Sequence, residues 1–155
     1  MIQRIQSIYI SLAAIFTGLL FFIPIANILL EDNVYAIMVS GVNSFPFSGQ
    51  AGFAEKLFPA IKILTIIAVL ALLIDIFLFK NRKNQIKVAR YIILMITLFT
   101  SGMIFFTSSI NQAYSAGLKF NIGIIFPFIA IMLIFLAIRC IKKDEELVRS
   151  IDRIR

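Results

Sequence analysis

The sequence contains no histidine, no tryptophan and one cysteine, Cys140. A lone thiol excludes an intramolecular disulfide. No His/Cys/carboxylate cluster has metal-ligand spacing, and no nucleophile has an obvious base beside it. Phosphate-cradling glycine loops are absent as well. These absences argue against an enzyme, and no catalytic, cofactor-binding or metal-ligating residue is expected. Acidic residues are scarce too: eight Asp and Glu stand against fifteen Lys and Arg, a net charge of +7. Basic surplus alone is compatible with nucleic-acid binding, but no aromatic-basic platform for bases lies outside the apolar stretches, so no nucleic-acid partner is expected.

What the chain has in abundance is apolar length. Hydrophobic residues make up 61% of its 155 residues, and its mean hydropathy is +0.99. Four apolar stretches, 8–30, 59–79, 91–110 and 122–138, each approach the ~20 residues a helix needs to cross ~30 Å of hydrocarbon. The first is too long for a signal-peptide core and is followed by no small-x-small cleavage site, so it reads as a retained helix. Twelve of the fifteen basic residues lie before the first stretch, between the second and third, or after the fourth; Lys56, Lys62 and Lys119 lie on the other side. That asymmetry predicts both termini in the cytoplasm. Tyr9 and Tyr91 at the inner ends, with Tyr35 and Tyr114 at the outer ends, give the same topology from interface preference.

The expected fold class is therefore an all-α membrane protein, a single domain over 1–155 built as a four-transmembrane-helix bundle in the bacterial inner membrane. Outer loops are expected at 31–58 and 111–121, an inner loop at 80–90 and a cytoplasmic tail at 139–155. In the first outer loop, 34–42 is β-prone and 43–52 is rich in turn formers, which predicts a short β-hairpin; Phe45, Phe47 and Phe53 would dip into the interface. Pro24 is expected to kink the first helix, and Pro59 to sit in the first turn of the second. Ser11, Ala14 and Gly18 form a small-residue spacing suited to close helix approach.

Asp75 is the one acid inside a span, and an intramembrane carboxylate is costly enough to be a functional candidate. Thr97 and Ser101 share a face of the third helix with Ser108, and with Asp75 they form a candidate intramembrane polar site. The bland alternatives are a carboxylate that reaches water or pairs with Lys80, Arg90 or Arg139, and hydroxyls bonded to their own helix. In the tail, Leu147, Val148, Ile151 and Ile154 follow helical spacing, with Glu145–Arg149 and Asp152–Arg155 placed to pair. This predicts an amphipathic cytoplasmic helix continuing from the fourth span.

The two ends, Met-Ile-Gln-Arg-Ile-Gln-Ser-Ile-Tyr at 1–9 and Asp-Glu-Glu-Leu-Val-Arg-Ser-Ile-Asp-Arg-Ile-Arg at 144–155, resemble a family of small Bacteroidota membrane proteins, domain-of-unknown-function family 4293. The resemblance implies an inner-membrane location and brings no established activity. It directs attention to Gln3, Arg4 and Gln6 at one end and to Asp144, Glu145, Arg149, Ser150, Asp152, Arg153 and Arg155 at the other. By the topology above, both sets lie on one side and form candidate docking residues. The resulting expectation is an accessory or scaffold subunit whose partners are the lipid bilayer and another membrane or cytoplasmic protein, or a second copy. The alternatives are a small oligomeric ion- or proton-coupled transporter using Asp75, and a membrane sensor.

Overall fold

A computed structural model describes residues 3–30, 33–42, 52–78, 81–114 and 117–154. Four helices dominate it: α1 (Gln3–Leu19), α2 (Gly52–Phe77), α3 (Arg82–Tyr114) and α4 (Phe126–Ile154). Helix α1 packs on α2 and α4, and α3 on the same two, so the four form a closed ring of neighbours. A three-stranded sheet, β1 (Ala26–Leu30), β2 (Asn33–Ile37) and β3 (Gly117–Phe120), is antiparallel throughout in the order β2-β1-β3.

Each helix carries apolar residues on both its inner and outer faces. In α1, Ile10, Ala13 and Ala14 are buried while Ile5, Ile8, Leu12 and Ile15 point outward. Helix α2 buries Ala68 and Leu72 and exposes Ile63, Ile67, Leu70 and Ile74. A helix that is apolar all round belongs in a nonpolar medium. Three segments, Phe58–Phe77, Asn84–Gln112 and Ile122–Leu147, are long and apolar enough to cross a membrane; Ile5–Leu19 is a shorter apolar helix.

Two apolar cores are stacked along the bundle. One lies among all four helices and includes Ile10, Ala13, Leu72, Ala89, Ile92, Ala130, Ile134 and Ala137. Alanines at 13, 14, 130 and 137 keep α1 and α4 close. The other lies beneath the sheet, where Leu20, Ile28 and Ile37 meet Ile61, Phe99, Met103 and Phe106. The strands thus fill the volume beyond the end of α1.

Several expectations from sequence are corrected here. The stretch 8–30 is not one helix: α1 ends at Leu19, a turn follows, and 26–30 is β1. Pro24 lies beyond the helix, which ends at Leu19, and does not kink it; its ring disfavours helical conformation at Ile23, so the helix does not resume before it. The expected hairpin exists, but one arm comes from the predicted span and a third strand comes from the second loop. Residues 43–51 lie outside the described set, as do the side chain of Phe53 and any interfacial role for Phe45 and Phe47. Pro59 falls inside α2, well past its start at Gly52. The predicted inner loop 80–90 is largely the beginning of α3, which Asn81 caps: its carbonyl accepts the Gln85 N–H at 3.0 Å, and its side-chain oxygen lies 3.5 Å from the Asn84 N–H. Gly18 has open space around it, so close packing of α1 relies on Ala13 and Ala14 instead. Helix α4 runs without a break to Ile154, so the tail does continue the fourth apolar stretch as helix.

Candidate functional site

One buried polar residue from each helix lies at the end of the bundle opposite the sheet: Gln6 in α1, Asp75 in α2, Gln85 in α3 and Asp144 in α4. The hydrogen bonds show that these helix ends meet. The Gln6 amide donates to the Asp144 carboxylate, joining the start of α1 to the late turns of α4. Gln85 Nε2 donates to the backbone carbonyl of Asp75 at 3.2 Å, joining the end of α2 to the start of α3. Arg82 Nη1 donates to the backbone carbonyl of Asp144 at 3.2 Å and connects the two pairs.

The helices place these groups by simple periodicity. Arg82, Gln85, Ile86 and Ala89 recur at three- and four-residue spacing, so the inward face of α3 begins polar and becomes apolar one turn later. Asp75 follows Leu72 on the inward face of α2 in the same way. Its side chain is fully buried, and neither carboxylate oxygen has a hydrogen-bond partner among the described residues. Gln85 Oε1 is likewise buried without one.

The structure therefore groups the candidate residues differently from the sequence reading. Gln6 and Asp144, proposed as docking residues, are buried against each other and brace the bundle. Thr97 and Ser101 do not join Asp75. Both are exposed on the outer face of α3, and their hydroxyls donate to the Ile93 carbonyl at 2.8 Å and the Leu98 carbonyl at 2.9 Å. The buried hydroxyls are Thr17, Thr65, Thr100 and Thr107, each donating to the carbonyl four residues earlier. Arg90 and Arg139 are exposed, and neither pairs with Asp75; Lys80 lies outside the described residues. Gln85 carries no sequence signal of burial, because it falls in the segment 80–90 whose polar, basic composition predicts a loop. Glu145 is half-buried, whereas the side chains of Gln3, Arg4, Arg149, Ser150, Asp152, Arg153 and Arg155 lie outside the described set.

Beside this layer, Leu136, Arg139, Cys140, Lys142, Lys143 and Glu146 line an open concavity of about 440 Å³ on α4. At the opposite end, Gly123 lets the 3-10 turn Ile122–Ile125 approach the segment after α1; a Cβ there would stand 2.5 Å from the Pro24 carbonyl oxygen.

Long helices with apolar outer faces, a small sheet at one end and a polar layer at the other define a helical protein compatible with a membrane. The chain belongs to the family described as a domain of unknown function, DUF4293, whose model matches residues 2–154. No curated protein matches it.

Proposed function

We propose that this protein is a four-span subunit of the bacterial inner membrane, with both termini cytoplasmic, that serves as an accessory or scaffold component and docks a partner protein through its inner end. The observation that carries this reading is the construction of that end. Gln6, Arg82 and Asp144 fix the helix ends to one another, and α4 then continues about three turns past Asp144, to Ile154. The tail is thus an ordered helix on a braced base, with the basic concavity of Arg139, Lys142 and Lys143 beside it. Its apolar positions Leu147, Val148, Ile151 and Ile154 recur at the spacing of a helix-in-groove contact.

Lipid exposure supports the membrane part. Phe77, Tyr91, Met132 and Phe135 are all more than half exposed, as are Ile8 and Ile15 of α1. For the Phe, Met and Ile side chains, covering the exposed part with hydrocarbon in place of water is worth about 1–2 kcal/mol each. Helix α1 is ~26 Å long and, with the turn that follows, accounts for the fourth crossing.

An anchor is favoured over a conduit by the interior beyond Asp75. Leu72, Ala89, Ile92, Ile96, Ala130 and Ile134 close it with apolar packing, and the buried hydroxyls are engaged with their own helices. Replacing Arg149 and Arg153 together by Ala should release the partner from the purified complex while membrane insertion is unchanged. Wild-type retention of the partner by the double variant would rule the tail out as the dock.

A further inference from the structure

Hydrogen-bond donors and acceptors do not balance where α2 meets α3. Gln85 Nε2 donates to the Asp75 carbonyl at 3.2 Å, which fixes the amide's orientation, because the flipped amide would set two carbonyl oxygens against each other. Oε1 is then directed away from that contact, buried and without a donor among the described residues. Both Asp75 carboxylate oxygens are buried in the same condition. The Gln85 side chain, bonded to the backbone of Asp75, and the Asp75 side chain itself therefore contribute three buried oxygen acceptors that no donor among the described residues satisfies.

We propose that Asp75 and Gln85 form the protein half of a binding site for a single alkali-metal cation such as sodium, held at the α2–α3 junction. Carboxylate and amide oxygens are the hard donors such an ion takes. The charge count selects a monovalent ion. Asp75 offers one negative charge; the Asp144 carboxylate keeps its own, with the Gln6 amide on it and the Arg82 guanidinium bonded to the Asp144 backbone carbonyl at 3.2 Å. A divalent ion would leave net charge beside Leu72, Ile86 and Ala89, in surroundings where unpaired charge is strongly disfavoured. Among the described residues no three His, Cys, Asp or Glu side chains converge, as a typical divalent site would require. Helix α2 ends at Phe77, two residues after Asp75, so the negative end of its dipole also favours a cation here. The ion ties two helix ends together, a role independent of partner docking.

The test uses the purified full-length protein in mild detergent, with its thermal unfolding midpoint measured at fixed pH and ionic strength in sodium, potassium and choline chloride. The expected result is a midpoint that rises saturably with one alkali cation over choline. Asp75→Asn should abolish that rise, and Gln85→Leu should increase the concentration for half-effect several-fold. Equal midpoints in all three salts would overturn the proposal and leave a proton as the neutralising species. A salt response that survives in Asp75→Asn would overturn it too, by placing the ion elsewhere. If Asp75→Asn does not fold, the wild-type salt comparison and Gln85→Leu decide the matter.

Discussion

Gln6 and Asp144 sit at opposite ends of the sequence and are buried against each other. Removing one partner of such a contact costs more than removing both, because the survivor is left desolvated and unpaired. Asp144→Ala should therefore destabilise the protein by about 1–3 kcal/mol, read as a lower unfolding midpoint in detergent. Gln6→Leu combined with Asp144→Leu should recover much of that loss. Gly123 provides a second residue-scale test. An added Cβ would collide with backbone, not with a flexible side chain, so Gly123→Ala should cost about 1–3 kcal/mol, the range of overpacking. Gly18→Ala, at a position with open space, should be neutral or stabilising by up to ~1 kcal/mol from helix propensity; unfolding of both variants side by side checks the contrast. Asp75 was legible in sequence because an acid among apolar residues is conspicuous. Gln85 was not, because polar residues in a basic segment carry no mark of burial until the start of α3 is known. The outward placement of Thr97 and Ser101 was equally hidden, since both faces of α3 are apolar enough that periodicity does not say which one turns inward.

At the scale of elements, α1 is the most informative. An unbroken apolar run cannot by itself distinguish a long helix from a shorter helix followed by a strand. The signal present was Pro24, read as a kink when it marks the end of helical structure. Pairing of β1 with β3 brings together segments ~90 residues apart, a separation that local pattern cannot reveal. Helix α4, by contrast, was legible beyond Pro127, because from there its apolar run passes into the amphipathic tail without Pro or Gly. The contact between α1 and α4 depends on small side chains: Ala13, Ala14, Ala130 and Ala137 are all buried. Ala137→Leu should force these helices apart at a cost of about 1–3 kcal/mol, whereas Met132→Leu, on the exposed face, should leave the unfolding midpoint unchanged.

For the whole molecule, the account is that of an inside-out protein. Its outer surface is apolar along the helices, its polar layer is buried at one end, and a sheet closes the other. The predominance of long apolar helices was legible because apolar length acts over the whole chain and needs no pairing information. The sheet was only half legible, since a hairpin was expected but its membership was not. The docking proposal depends on orientation: it requires the end bearing Gln6, Arg82 and Asp144 to face the cytoplasm and the sheet end to face outward. Cys140 is the only cysteine, so Cys140→Ser provides a background in which single reporters can be placed at the exposed positions Gln112 and Lys143. The most direct measurement is labelling of Gln112→Cys and Lys143→Cys in spheroplasts by a membrane-impermeant thiol reagent. Gln112→Cys should react in intact spheroplasts, and Lys143→Cys only after permeabilisation. Labelling of Lys143→Cys in intact spheroplasts would contradict the account.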